Sequence, residues 1–204
     1  MHRGKDLPDA LGRPELAAGR KPFQSIWIFL VADSVSFGLL FLVFMVERLG
    51  QPVLFAESAH RLNALLGLGN TLILITGSWL VALAVAACRV GSVDRTRRRL
   101  VAAIVVSSGF AFVKIFEYGS KVGDGITPLT NDFYTFYYAL TGFHLLHYLT
   151  GMGALIYLAV LTVRVHEIEA RFTLWLESAA LFWHVVDLLW IFLFAMLYLL
   201  GVQT

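Results

Sequence analysis

The stretch TGFHLLHYLTG, from Thr141 to Gly151, carries two histidines, His144 and His147, inside an apolar run long enough to cross a membrane. Residues three apart lie on one face of a helix, and Gly151 continues that face one turn further on. An ionisable group at membrane depth is costly, and it therefore faces the interior of the protein and tends to mark a functional position. Such a pair needs partners on other helices.

The composition of the chain is that of an integral membrane protein. Of its 204 residues, 58% are hydrophobic and 15% are charged, and the mean hydropathy is +0.74. Soluble domains are about 45–50% apolar and about 25% charged. The single cysteine, Cys88, excludes an internal disulfide and any CxxC or CxxCH motif.

Five apolar runs follow a polar tail, and each is near the ~20 residues that a membrane-crossing helix needs. The first run is longer than the roughly 7–15 residues of a signal-peptide core, so we expect it to be retained. The predicted fold class is all-α, with a flexible cytoplasmic tail at 1–22 and a single domain at 23–204. That domain is a bundle of five transmembrane helices, at about 23–46, 62–87, 100–118, 133–163 and 174–200.

The basic residues are distributed unequally between the two ends of the predicted helices. Twelve lie in the tail and in the loops after the second and fourth runs: Arg3, Lys5, Arg13, Arg20, Lys21, Arg89, Arg95, Arg97, Arg98, Arg99, Arg164 and Arg171. The other side carries only Arg48, Arg61 and Lys121. The positive-inside rule therefore predicts a cytoplasmic N-terminus and a periplasmic C-terminus.

Polar residues recur inside the runs, most of them near mid-membrane depth: Asp33, Asn70, Lys114, Glu117, His144, His147, His184 and Asp187. We interpret them as a polar seam through the bundle, in which histidines and carboxylates hydrogen-bond each other and fix the helix packing. Lys114 and Glu117, three apart, are expected to form an ion pair near the outer end of their helix. Asp33 has no basic residue near it in its own run, so it is either protonated or paired with another helix.

Two other functions remain open at this point. Histidines and carboxylates bind iron or zinc, and His144 and His184 on facing helices could ligate a haem. The Glu-x-x-His pattern of di-metal bundles is absent, however. Asp33, Glu117 and Asp187 could alternatively relay protons or bind a solute in a transporter.

Five stretches resemble, in order, the signatures of subunit III of the haem-copper oxidases. They are FLVADSVSFG (29–38), LGNTLILITGS (68–78), KIFEY (114–118), TGFHLLHYLTG (141–151) and WHVVDLLWIFLF (183–194), which includes Trp190. The likeness extends over about residues 23–201. Asp33 stands where the family generally has Glu. The chain resembles the five-helix members of the family, and the stretch GITPLTNDFYTFYYALTGFHLLH (125–147) is closest to those that accompany nitric oxide reductases.

The resemblance implies a non-catalytic accessory subunit with no cofactor of its own, in the inner membrane of a bacterium. Haem and copper, or non-haem iron, would belong to a partner subunit. The chain would pack against that haem-bearing catalytic subunit, bind phospholipid, and support assembly, proton uptake and sustained turnover in aerobic respiration or denitrification. No nucleic-acid partner is expected. The positions expected to serve packing, lipid or subunit contact are Asp33, Asn70, Glu117, His144, His147, His184, Asp187 and Trp190.

Overall fold

Helices account for nearly all of the described chain, which in this computed structural model covers residues 15–164 and 167–199. Of the predicted tail at 1–22, residues 1–14 lie outside the described residues. The helices are α1 (Glu15–Gly50), α2 (Pro52–His60), α3 (Ala64–Arg89), α4 (Val93–Gly123), α5 (Asp132–Arg164) and α6 (Ala170–Phe194). A π-helical turn, Ala195–Leu199, continues α6.

Five of these helices, α1 and α3 to α6, are long and apolar enough to cross a membrane. The all-α class is therefore confirmed, and each predicted run overlaps one of the five along most of its length. Most of the helices extend beyond the runs at one or both ends, most clearly α4, because hydropathy marks only the part of a helix that lies in hydrocarbon. Polar residues at the ends continue the same backbone hydrogen bonding.

The short helix α2 was not predicted. It begins with Pro52, which suits the first turn of a helix because its missing N–H would be unpaired there in any case. Phe55 is buried, and its ring centroid lies 5.5 Å from that of Phe44 on α1 and 5.7 Å from that of Phe133 on α5. This contact closes one end of the bundle.

Four helices form a ring in which α3 packs on α4, α4 on α5, α5 on α6 and α6 on α3. The first helix, α1, lies outside this ring against α6 and, to a smaller extent, α5. The core therefore sits between α3, α4, α5 and α6. Of these four helices, α6 makes most of the contact with α1.

A tight connection joins α3 and α4. Gly91 ends α3 with φ of +74°, a conformation that glycine adopts without steric cost. The N–H of Ser92 then donates to the carbonyl of Ala87 over 3.1 Å, as in a Schellman cap. Further along the pair, the guanidinium of Arg99 donates to the Leu83 carbonyl over 2.7 Å. These contacts hold the two helices as a closely packed hairpin.

Gly151 allows α5 and α6 to approach each other. A Cβ at this position would lie 2.9 Å from Cε3 of Trp183, whose side chain is almost fully buried. Small residues permit such close approach between membrane helices. Gly153, two residues along the same helix, has no atom within 4 Å of the equivalent position.

This difference gives a matched pair of variants. Both Gly151→Ala and Gly153→Ala gain the same helix propensity, but only the first forces the rigid indole of Trp183 to move. We expect Gly151→Ala to be less stable than Gly153→Ala by about 1–3 kcal/mol, the usual cost of overpacking. Thermal unfolding in detergent measures this difference, and equal midpoints for the two variants would contradict it.

Candidate functional site

The most buried charges of the described chain form a network between α4 and the end of α6. The ammonium of Lys114 donates to Glu117 and to the Tyr198 hydroxyl, each over 2.9 Å. The Tyr198 hydroxyl in turn donates to the second oxygen of Glu117 over 2.6 Å. The side chains of Lys114 and Glu117 are only 2% and 4% exposed. The predicted ion pair is thus present, and it lies in the interior of the bundle.

Aromatic rings surround the lysine of this network. Its Nζ lies within 5.8 Å of four ring centroids, those of Trp190, Tyr137, Tyr198 and Tyr118. A cation at this distance from an aromatic face is stabilised by the negative potential of the ring. The charge of Lys114 is therefore compensated twice, by the Glu117 carboxylate and by the rings.

Tyr198 belongs to the site although the sequence did not indicate it. The residue lies in the π-helical turn, where the wider spacing changes which side chains face inward, and both Leu197 and Tyr198 are buried. A regular helical pattern does not reveal such a turn. Its only signal is a tyrosine among aliphatic residues near the end of the last apolar run.

Asp33 pairs with His147, which provides the contact from another helix. Their Oδ1 and Nε2 atoms are 2.9 Å apart, and the other ring nitrogen, Nδ1, donates to the Phe143 carbonyl over 2.7 Å. With Nδ1 protonated, the remaining contact is either a carboxylic acid against a neutral imidazole or a carboxylate against an imidazolium. Both arrangements are neutral overall, so the pair holds one proton between α1 and α5.

His144, in contrast, has no carboxylate partner. Its ring lies 5.3 Å from that of Trp190 and 5.5 Å from that of Phe110, between centroids, and the residue is fully buried. Neither of its nitrogens is hydrogen-bonded within the described ranges, and the same holds for the side chain of Asn70. The interpretation of the seam as histidines and carboxylates that hydrogen-bond each other is wrong at His144. His144 instead packs among aromatic rings, beside a Trp190 whose indole donates to Thr71 over 3.1 Å.

His184 and Asp187 lie on the side of α6 next to α3, where His184 is partly exposed and Asp187 is largely buried. The Nδ1 of His184 is 2.5 Å from the Ser78 hydroxyl, so these two side chains are hydrogen-bonded. The carboxylate of Asp187 is 3.9 Å from the same nitrogen, which is too far for a hydrogen bond. The partner of His184 is therefore a serine that the sequence analysis did not single out.

The polar residues thus occur as separate sites. No hydrogen bond joins Asp33, Glu117 and Asp187 to one another in the part of the chain that is described, where the sequence suggested one continuous seam. His144 and His184 are not in contact there either. Nor do three His, Cys, Asp or Glu side chains converge in a metal-ligand arrangement among residues 15–164 and 167–199.

The buried network predicts a strong asymmetry between single and double variants. Lys114→Met leaves the carboxylate of Glu117 buried without its counter-charge, and removing one partner of a buried pair costs about 3–5 kcal/mol. Replacing both residues, in Lys114→Met with Glu117→Leu, removes the uncompensated charge. We expect the double variant to be more stable than Lys114→Met in detergent unfolding. If the double variant is less stable, the two charges do not act as a pair.

The whole membrane domain is similar to known proteins. The sequence profile described as cytochrome c oxidase subunit III matches residues 24–202. Subunit 3 of the cytochrome c oxidase of Synechocystis is 34% identical over 177 residues, which cover 85% of this chain and 73% of the relative. For the Corynebacterium diphtheriae cytochrome c oxidase subunit 3, identity is 30% over 196 residues, or 93% of this chain and 90% of the relative.

A quinol oxidase component is also among the relatives. Subunit 3 of the cytochrome bo(3) ubiquinol oxidase of Pseudomonas putida is 27% identical over 188 residues, covering 91% of this chain and 88% of the relative. The match to the family profile includes all five membrane spans and every polar residue of the sites described in this subsection. The chain is an integral membrane protein that belongs to the cytochrome c oxidase subunit III family.

Proposed function

We propose that this chain is a non-catalytic accessory subunit that packs against the haem-bearing catalytic subunit of a respiratory haem-copper complex. The observation that carries the proposal is the family match over residues 24–202, with relatives named as subunit 3 of cytochrome c and quinol oxidases. The geometry supports it, because two pairs of ionisable side chains inside the bundle bind each other. Lys114 is bound to Glu117, and one carboxylate oxygen of Asp33 is paired with His147.

The roles that we propose for this subunit are assembly of the complex, phospholipid binding, and support of proton uptake and sustained turnover. Haem and copper, or non-haem iron, are then held by the partner subunit. The distribution of Lys and Arg supports insertion into a bacterial inner membrane with the N-terminus in the cytoplasm and the C-terminus in the periplasm.

The association with a nitric oxide reductase, and with it a role in denitrification, remains a prediction from the stretch that begins at Gly125. In the structure, Asn131 of this stretch caps α5 by accepting a hydrogen bond from the Tyr134 N–H over 3.0 Å. A helix cap of this kind is useful in an oxidase subunit as well. Consumption of oxygen and of nitric oxide by the purified complex distinguishes the two associations.

The proposal predicts which proteins copurify with the chain after extraction from the membrane. We expect the affinity-tagged chain, extracted in mild detergent, to bring with it a larger subunit that shows haem absorption. The isolated chain is expected to show no Soret band and no stoichiometric metal. Haem that stays with the isolated chain, and is lost in His144→Ala or His184→Ala, would favour the haem-protein alternative.

Proton flux by the isolated chain separates the transporter alternative from the accessory role. The chain is reconstituted alone in liposomes, and flux is followed under an imposed pH gradient. We expect no flux above that of empty liposomes. Flux that depends on Asp33, Glu117 and Asp187 would overturn the proposed function.

Asp33 provides a test of the assembly role. Asp33→Ala leaves the Nε2 of His147 without its partner, at a cost of about 1–3 kcal/mol. We expect insertion to be normal, whereas the yield of assembled complex or its sustained turnover falls. Asp33→Glu should retain both, and Ser36→Ala is a matched control three residues along α1. Normal assembly together with normal sustained turnover in Asp33→Ala would contradict this role.

A further inference from the structure

A groove of about 420 Å³ runs along the membrane face between α3 and α6. Its walls are mostly apolar and include Ile75, Trp79, Leu188 and Ile191. Three polar residues also line this otherwise apolar groove: Ser78, His184 and Asp187. The side chain of His184 is 40% exposed here.

This exposure is unfavourable if the groove faces lipid. A polar group in the hydrocarbon region has no water to bond with, and it must find its partners within protein. The Nδ1 of His184 is occupied by Ser78, but no hydrogen bond to its Nε2 is present among the described residues. The groove therefore needs a cover that brings a hydrogen-bonding group to mid-membrane depth.

The surface around the groove has the form that receives another helix. On α3, the exposed residues Leu68, Leu72, Ile75 and Trp79 are spaced by four, three and four positions. This alternation forms a nearly straight row, as at the contact of two helices that cross at a small angle. On its other side α6 carries α1, and α1 and α3 do not pack on each other to a comparable extent within the described ranges. The recessed helix α6 is thus left accessible between them.

The chemistry of His184 restricts what the covering helix can present. If the Ser78 hydroxyl donates to Nδ1, the neutral imidazole carries its proton on Nε2 and needs an acceptor. If Nδ1 donates to the hydroxyl, Nε2 needs a donor. A hydroxyl or a carboxamide satisfies either tautomer without adding charge, whereas an acyl chain satisfies neither.

We propose that the α3–α6 groove is the docking surface for a transmembrane helix of the catalytic subunit, which presents a Ser, Thr, Asn or Gln side chain to His184. The inference rests on the proposed accessory function and specifies the face that the partner uses. A lipid chain or a second copy of this chain are the other possible occupants, and both are outcomes of the test below.

Site-specific photocrosslinking in the native membrane identifies the occupant. A benzoyl-phenylalanine replaces Trp79 or Leu188 at the groove, or, as a control, Phe112 on α4, which is diagonal to α6 in the ring and 72% exposed. We expect crosslinks to the haem-bearing subunit from positions 79 and 188, at least ten-fold above those from position 112. Crosslinks from the groove to lipid or to a second copy, or crosslinks to the catalytic subunit only from position 112, would overturn the inference.

Variants of His184 measure the contribution of the polar contact. His184→Leu removes hydrogen bonding, and His184→Gln retains a group that can donate and accept. We expect association with the catalytic subunit to weaken by about three- to eighteen-fold in His184→Leu, the range for one hydrogen bond between membrane helices, and to recover in His184→Gln. Equal weakening in both variants, or none in either, would contradict the role of His184.

The two proposals can fail separately. If the tagged wild-type chain brings down the haem-bearing subunit but the crosslinks map away from the groove, the docking surface is wrong and the accessory function stands. If no haem-bearing subunit accompanies the wild-type chain, the accessory function itself fails, and the docking surface with it.

Discussion

The constraint on which the rest of the structure depends is the absence of water from the bilayer core, where an unpaired charge is strongly destabilising. Lys114 shows how the fold meets it. The ammonium is bound by a carboxylate one turn away on its own helix, by a hydroxyl from the end of α6, and by four aromatic rings. The pair of α4 charges can be buried only because α6 and α5 bring these groups to it, so helix packing and charge compensation depend on each other.

The same constraint divides the polar residues into those that hold the chain together and those that face outward. Asp33 and His147 connect α1 to α5, and the Lys114 network connects α4 to α6. His184 differs, because its polar contact lies at the membrane face and is only partly covered. The Asp33–His147 pair and the Lys114 network explain how a chain with five spanning helices tolerates ionisable residues in its interior. His184, at the membrane face, is the residue that we propose a partner subunit recognises.

Hydropathy was sufficient to locate all five spanning helices, because the membrane requires a long apolar segment for each. It did not indicate α2, since nine residues packed on Phe44 and Phe133 produce no comparable signal. Helix spacing predicted the Lys114–Glu117 pair, which is local. The partners from other helices, Tyr198 and Ser78, could not be predicted, because they depend on how helices distant in sequence are rotated against each other. His144 was misjudged for the same reason: spacing placed it inside the bundle but did not show that its neighbours there are aromatic.

The position of Tyr198 has a consequence for how the chain is made. Synthesis runs from the N-terminus, so α4 and its two charges enter the membrane well before the π-helical turn that follows α6. Until that turn arrives, Glu117 lacks the hydroxyl that donates to its second oxygen, and Lys114 lacks one of its acceptors. The charge network of an early helix is thus completed by a residue near the end of the last described helix. A chain that stops short of Tyr198 carries a partly unsatisfied ion pair in its core.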